Sequence, residues 1–204
     1  TAVRDGRSLD TTMGMTPVEG LVMGTRPGSV DPGALVRLMR GGLSLDALGE
    51  GLEHGGGLRA LGGTSDMHEL SRRASQGDER ARFARAQFVR SAAKHAASML
   101  PVLGGLDALV FTGGIGENDV EVRAGVVAAL GFAGIALDPD ANARSSTDDR
   151  VVSASSSGAA VLVVHAREDV SLVRAARLAT CSSRGDKELE HASSETNPGR
   201  HRLQ

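Results

Sequence analysis

A glycine-rich segment near the middle of the chain has the composition of a ligand-binding turn. The apolar run Leu109 to Phe111 predicts a short buried strand, and Thr112-Gly-Gly-Ile-Gly116 follows it directly. Glycines leave room for a ligand to approach the backbone, and Asn118 or Asp119 predicts the cap of the next helix. A strand, a glycine turn and a helix start can together bind a nucleotide or another anion, because free N–H groups point at the ligand.

This segment does not match the common phosphate-binding patterns. Its glycine spacing is neither GxGxxG nor GxxxxGK(S/T), so it contains neither the dinucleotide fingerprint nor the P-loop. From these residues alone, a tight structural turn and a nucleotide-binding loop are equally compatible with the sequence.

The elements around this segment alternate between strand and helix, which predicts an α/β domain with a partly parallel sheet. Residues 1–12 predict two strands that turn at Asp5-Gly6, and residues 159–164 predict a buried strand. Residues 135–138 and 150–154 predict an edge hairpin around a polar loop. Helices are predicted over 16–24, 31–41, 66–70, 77–103 and 168–180. A further short helix is predicted to start at residue 44, and residues 54–65 are predicted to be a glycine-rich connection.

Composition indicates a globular domain rather than a nucleic-acid-binding or membrane protein. Of the 204 residues, 40% are hydrophobic and 24% charged, and the formal net charge of -2 lacks the basic excess of a nucleic-acid-binding surface. No apolar run approaches the ~20 residues that a membrane span needs. Aromatic residues make up only 2%, so we expect an aliphatic core. The single cysteine, Cys181, excludes an internal disulfide and is typical of the reducing cytoplasm.

Three segments together resemble the acetate kinase family. They are Phe-Thr-Gly-Gly-Ile-Gly-Glu-Asn at 111–118, the stretch 6–26 with its Asp-Thr-Thr-Met-Gly and Met-Gly-Thr-Arg motifs, and Gly-Gly-Thr-Ser-Asp-Met-His-Glu-Leu at 62–70. The order and spacing of all three agree with the family, and the resemblance covers roughly residues 1–180. A joint match of three segments arises by chance much less often than a match of one short motif.

The resemblance implies an incomplete member of a known superfamily. Acetate kinases belong to the acetate and sugar kinase, heat-shock ATPase and actin superfamily, whose domains have a ribonuclease H-like α/β fold. They are also roughly twice as long as this chain. We therefore expect residues 1–181 to be the C-terminal nucleotide-binding domain, residues 182–204 to be a disordered polar tail, and the N-terminal domain and a central strand to be missing. A missing central strand would leave sheet edges unpaired.

The resemblance also implies roles for individual residues. It places Arg26 at the family's transition-state arginine, although composition alone favours a solvated surface arginine. A guanidinium suits that role because it can grip two phosphoryl oxygens at once. Asp66, Met67 and His68 match a nucleotide-contact triplet in which His68 replaces the usual Arg, and Asp66 is otherwise typical of a helix cap. The residues expected to line the adenine and ribose end are Gly114, Ile115, Gly116, Glu117 and Asn118.

The implied cofactors are ATP or ADP and Mg²⁺. Glu168 matches the family's Mg-binding glutamate and keeps the hard oxygen ligand that Mg²⁺ requires, although Arg167 stands where the family usually has Asn. A glutamate at this point is otherwise typical of a first-turn acid that complements the helix dipole. His95 and His165 have apolar neighbours, which favours packed histidines over ligands.

The predicted function is phosphoryl transfer from ATP to acetate or a similar short acid, giving an acyl phosphate and ADP. The acyl pocket, a second metal carboxylate and a second transition-state residue would lie in the missing half, and the complete enzyme would be a cytoplasmic homodimer. Two alternatives remain: a truncated, inactive nucleotide-binding fragment, and a sugar kinase of the same superfamily. The motifs at 10–14 and 23–26 argue against the sugar kinase.

Overall fold

The computed structural model describes residues 1–177 as an α/β arrangement with two small sheets. It divides into a compact unit from Thr1 to His165 and a second unit that begins at Ala166. Within the second unit, residues 168–177 are helical and exposed. The predicted tail over 182–204 and the end of the helix predicted over 168–180 lie outside the described residues.

The strands form a hairpin and a mixed three-stranded sheet. β1 (Ala2–Arg4) and β2 (Arg7–Asp10) are antiparallel and turn at Asp5-Gly6, as predicted, where both residues have positive φ (51° and 72°). The other sheet has the order β3 (Ala108–Phe111), β5 (Ala160–Val163), β4 (Arg150–Val151). β5 pairs in parallel with β3 and antiparallel with β4, so the predicted partly parallel sheet is confirmed.

Helices are the main secondary structure of the first unit, and aspartate or serine side chains cap the longer ones. Asp31, Ser44, Asp66, Asp78 and Asp119 each accept a hydrogen bond from a backbone N–H in the first helical turn. The helices are α1 (Pro32–Arg40), α2 (Leu45–Glu53), α3 (Gly57–Gly62), α4 (Met67–Ser75), α5 (Glu79–Leu103), α6 (Gly113–Asn118), α7 (Val120–Ala129) and α8 (Pro139–Ala143). Along residues 1–177, no helix has both the length and the apolar surface to cross a bilayer.

The core is aliphatic, as the composition predicts, and it forms around α5. Helices α3, α4 and α7 and strand β1 all pack against α5. Leu58, Leu70 and Val161 are completely buried, and the buried aromatic ring of the cluster is Phe88. Burying a Leu or Val side chain stabilises a fold by about 1.5–3 kcal/mol, so this cluster holds the helices against the sheet.

The helix predicted over 16–24 is wrong, because residues 11–30 form turns and loops. Gly20 has a φ of 98°, and a Cβ atom there would collide with the carbonyl group of Thr12. The backbone of this segment is also bonded outside a helical pattern. The N–H of Val22 donates to the hydroxyl of Ser91 (3.2 Å), and the N–H of Met23 donates to the carbonyl of Arg26 (3.0 Å).

Several other boundaries differ from the prediction. The connection over 54–65 contains α3, and α4 continues to Ser75 instead of ending at Leu70. The edge hairpin is reduced to a bridge between Leu137 and Ser153, with β4 beside it and α8 within its loop. β3 is not buried. It is an edge strand of the described sheet, and Val110 is 48% exposed.

Candidate functional site

The glycine-rich segment forms a loop and a one-and-a-half-turn helix at the carboxyl end of β3. Thr112 is extended and Gly113 turns the chain with a φ of 75°. Gly113–Asn118 is the helix α6 rather than only the predicted glycine turn. In open α/β sheets, ligands bind outside the carboxyl ends of the strands. A Cβ atom built on Gly114 would meet no atom within 4 Å, so space is open on that side of the backbone.

A buried arginine supports the loop from the protein side. Arg123 on α7 is 1% exposed, and its Nη1 donates to the carbonyl oxygens of Gly116 (2.9 Å) and Glu117 (2.8 Å). Its Nε donates to the Oδ1 of Asn142 (2.6 Å), and its Nη2 donates to the Asn142 carbonyl (2.9 Å). Burial lowers the pKa of Arg123, and the charge of Arg150 lowers it further. The guanidinium nevertheless stays charged, because an arginine does not deprotonate in proteins.

The side chain of Glu117 turns back into the loop. Its Oε1 accepts a hydrogen bond from the N–H of Gly113 (2.7 Å), and its Oε2 lies 2.7 Å from the Nδ1 of His165. The side chain is 14% exposed. His165 follows β5, so this contact joins the ends of two neighbouring parallel strands. Its Nε2 is buried without a hydrogen-bond partner in the part of the chain that the structure describes.

Asp119 links the end of the loop to α4 and α5. Its Oδ1 caps α7 by accepting from the N–H of Val122 (2.9 Å), so of the two predicted caps, Asn118 and Asp119, the structure has Asp119. The hydroxyl of Ser71 lies 3.3 Å from the Oδ2 of Asp119 and also donates to the Met67 carbonyl (2.8 Å). Arg85 completes the cluster with an Nη2–Oδ1 distance of 3.3 Å. The segments around 66–71 and 113–119 are therefore neighbours.

The three residues at the start of α4 occupy different environments. Asp66 is exposed and caps the helix through the N–H of His68 (2.8 Å). His68 is exposed as well. Met67 is only 5% exposed and packs in the core, so its side chain does not face an open site, and a nucleotide contact there would involve its backbone.

Arg26 is half-buried in a loop whose backbone is bonded to the start of α3. The N–H groups of Leu58 and Arg59 donate to the carbonyls of Met23 and Gly24 (both 2.9 Å), and a Cβ atom at Gly57 would collide with the Met23 carbonyl. A Cβ atom at Gly24 would lie 3.2 Å from the Cβ of Ser65, so this loop adjoins the 66–68 segment.

Glu168 is described only within the second unit. It is exposed and is the first residue of the helical stretch 168–177. Within residues 1–177, no group of three or more His, Cys, Asp or Glu side chains is arranged to hold a metal ion. The carboxylate of Glu168 is of the chemical type that Mg²⁺ prefers.

Sequence reasoning missed Arg123 and Asn142, and one of the two carried a signal. Arg123 lies three, four and seven residues before Val126, Val127 and Leu130, which places it on the buried face of α7. A charged residue at such a position predicts a buried polar network. Nothing in the local sequence marks Asn142 as its partner, because Asn142 lies on α8, which contacts α7 only in the folded protein.

Comparison with known proteins shows the relationship that the motifs predict. Residues 1–174 match the sequence profile of the acetokinase family. The chain is 47% identical over 176 residues to the acetate kinase of Leifsonia xyli, covering 86% of this chain and 44% of that protein. It spans less than half the length of the curated relatives that it matches.

Solved structures agree with this match. The acetate kinase of Porphyromonas gingivalis superposes with a TM-score of 0.78 at 38% identity, over 81% of this chain and 42% of that one. A propionate kinase from Francisella tularensis superposes with a TM-score of 0.77 at 38% identity, over 82% and 43%. These likenesses confirm the predicted fold class, the ribonuclease H-like α/β fold of the actin-like ATPase superfamily.

Proposed function

Because the chain belongs to the acetokinase family, we propose that it is the nucleotide-binding half of an enzyme that phosphorylates acetate or a similar short acid. The phosphoryl donor would be ATP, and the products would be an acyl phosphate and ADP. The observation that supports this most is that three segments distant in sequence adjoin in the fold. The Arg26 loop lies against Ser65, and the Ser71 hydroxyl lies 3.3 Å from the Oδ2 of Asp119 at the end of the glycine-rich loop.

In this proposal Arg26 stabilises the phosphoryl group during transfer. Its guanidinium makes no hydrogen bond or ion pair within residues 1–177, and the loop that carries it is bonded to α3. Phosphoryl transfer depends mostly on positioning and on neutralising charge at the equatorial oxygens. A planar guanidinium on a fixed backbone can bind two of those oxygens.

The nucleotide would lie over the glycine-rich loop and the start of α4. Support comes from the open space at Gly114 and from the exposure of Asp66, His68 and Asn118. The imidazole of His68 offers fewer donors than the arginine that is usual in the family, so we expect it to stack or to donate one hydrogen bond.

Mg²⁺ would neutralise charge on the nucleotide phosphates, and we propose Glu168 as its protein ligand. Proteins commonly hold Mg²⁺ through one or two carboxylates together with phosphate oxygens and water. A single carboxylate donor therefore fits an ion that arrives with the nucleotide. Any second carboxylate would come from the preceding half of the enzyme.

The acceptor and the assembly belong to the same proposal. The named neighbours include both an acetate kinase and a propionate kinase, so the acceptor class is a short carboxylate. The acyl pocket would lie in the preceding half, and the complete enzyme would be a homodimer in the cytoplasm, a location that the single cysteine supports.

A second candidate is a nucleotide-binding fragment without catalytic activity. The observation that favours it is the short span of the chain, which is 44% of the Leifsonia protein. Both candidates require nucleotide binding, and only the first requires that this half supports catalysis when it is joined to an acyl-binding half.

Calorimetric titration of the 204-residue chain with ADP and Mg²⁺ tests the shared requirement. We expect one saturable site per chain. Gly114→Val should weaken binding, because its side chain fills the open space without meeting protein atoms. Gly49→Val is the matched control, since Gly49 is equally open but lies on α2. Absence of binding to the folded chain, or equal affinity in the Gly114→Val variant, would contradict the proposal.

A further inference from the structure

We propose that Glu117 and His165 are positioning residues that fix the loop 113–118 from its protein side and leave its outer side for the nucleotide. This inference rests on the proposed nucleotide-binding function. It gives Glu117 a different role from the direct nucleotide contact that the resemblance implies.

The first step concerns the two oxygens of Glu117. One accepts from the N–H of Gly113, four residues earlier, and so closes the loop on itself (2.7 Å). The other meets His165 (2.7 Å). With the side chain only 14% exposed, its carboxylate faces the protein and not the open space at Gly114.

The second step concerns what holds His165. Its own N–H donates to the Oδ1 of Asp149 (3.0 Å), and the preceding N–H, of Val164, donates to the carbonyl of Phe111 (2.9 Å). The imidazole is therefore carried by a backbone that two hydrogen bonds hold in place. Because a carboxylate only accepts hydrogen bonds, the Nδ1 of His165 carries the proton in this contact.

The third step concerns the rest of the loop. Arg123 binds the carbonyls of Gly116 and Glu117, so the loop is held at its first N–H and at its fourth and fifth residues. Between these points Gly114 faces open space, whereas the side chain of Ile115 is partly buried against the core. A loop that is already ordered binds its ligand more tightly, because binding then does not have to offset the conformational entropy lost on ordering the loop.

Three variants separate this role from general packing. His165→Phe keeps a ring of similar size but removes the N–H, and Glu117→Ala removes the acceptor. His165→Asn places an amide N–H close to the position of Nδ1 and should retain much of the contact. His95→Phe is the matched control, because His95 is a half-buried histidine on α5 outside the loop.

Amide hydrogen exchange of the nucleotide-free 204-residue chain gives a readout that does not depend on ligand binding. We expect exchange in residues 112–119 to accelerate about tenfold or more in His165→Phe and Glu117→Ala, the effect of losing one hydrogen bond to a charged group. His165→Asn should lie close to the original chain, and His95→Phe should match it. The affinity for ADP in the presence of Mg²⁺ should follow the same order, lowest in His165→Phe and Glu117→Ala and close to that of the original chain in His165→Asn and His95→Phe.

Unchanged loop exchange in His165→Phe would overturn the inference, and so would an equal acceleration in α5, which would indicate general destabilisation. If the original chain binds no nucleotide, the proposed function fails, and the exchange data alone still decide whether His165 and Glu117 position the loop.

Discussion

Arg26 is the residue on which the proposed chemistry depends most, and hydrogen bonds hold the backbone of the loop that carries it. The side chain has many rotamers, but its backbone is bonded to the start of α3. Gly57 permits this close approach because a side chain there would collide with the Met23 carbonyl. Gly57 thus lets the backbone of the Arg26 loop lie directly against α3.

Substituting Arg26 should lower the rate much more than it lowers nucleotide affinity. In a chimera that joins residues 1–204 to the preceding half of the Leifsonia acetate kinase, Arg26→Ala should reduce kcat on the order of 10³-fold, by analogy with other arginines of phosphoryl transfer. Arg26→Lys should recover little, because a point charge cannot replace a bidentate fork. The measurement is kcat for both variants, together with their affinity for ADP. A near-normal kcat in Arg26→Ala would show that Arg26 is a surface arginine without a catalytic role.

Asp119 should be the most sensitive cap for stability, because its pair with Arg85 is less exposed than the pair that the cap Asp78 forms with Arg73. The Asp119 and Arg85 side chains are both 13% exposed. Asp119→Ala should lower the unfolding free energy by about 2–3 kcal/mol, through a lost cap and a weakened half-buried pair. Asp119→Asn keeps the cap and should lose less.

Urea denaturation of the 204-residue chain measures both losses. Glu121→Gln is the control: Glu121 also pairs with Arg85 but is 77% exposed, so we expect a change of about 0.5 kcal/mol or less. Equal losses in Asp119→Ala and Glu121→Gln would contradict the role assigned to Asp119.

For single residues, the sequence predicts those that bond within their own helix and misses those whose partners are distant in sequence. Asp66 and Asp119 are recognisable caps because a cap bonds its own helix. The contact between Glu117 and His165 spans 48 residues and depends on the pairing of β3 with β5. No local pattern encodes that pairing, so His165 is predicted only as a packed histidine.

Among the helices, α5 organises the unit, and Asp78 fixes where it begins. Asp78 accepts from the N–H groups of Arg80 (2.9 Å) and Ala81 (3.1 Å) and also bonds Arg73. The hydrogen bond from Arg73 lowers the pKa of Asp78, with a further contribution from the Ala81 N–H. The cap is therefore strongest while its carboxylate is ionised.

The pH dependence of stability should report this cap. Because the pKa of Asp78 is lower in the folded state, its contribution is complete above the unfolded value of about 3.9 and is lost as pH falls through the folded value. The original chain should exceed Asp78→Asn in unfolding free energy at pH 7, and the difference should shrink below about pH 4. Urea midpoints between pH 7 and pH 3 measure it.

Asp148→Asn is the control, because the Asp148 side chain is exposed and makes no hydrogen bond within residues 1–177. A difference between the original chain and Asp78→Asn that stays constant with pH would show that ionisation of Asp78 does not contribute.

Element prediction succeeded where periodicity and caps agree and failed where glycines redirect the backbone. The boundaries of α1 follow from Asp31 at its start and from glycines at its end, and the apolar spacing over 77–103 predicts α5 to within two residues. The stretch 16–24 has a plausible cap and apolar spacing, but its N–H groups bond Ser91 and Arg26 instead. Such long-range partners decide the backbone path and are invisible in a local window.

At the scale of the whole molecule, β3 forms an open edge of its sheet within residues 1–177. A cavity of about 720 Å³ lies beside it and is lined by Val3 and Arg4 of the hairpin, by α5 and by β3 itself. β3 has no strand on its outer side among residues 1–177. An unpaired edge of this kind can accept another strand, so the predicted strand of the preceding half has a place to pair.

Acyl phosphate formation by the chimera tests the central claim most directly, namely that this chain is a working nucleotide-binding half of an acetokinase. With ATP, Mg²⁺ and either acetate or propionate, we expect the chimera to form acyl phosphate, and we expect the 204-residue chain and the Leifsonia half to form almost none separately. A folded chimera that binds ADP yet forms no acyl phosphate would contradict the account and favour an inactive nucleotide-binding fragment.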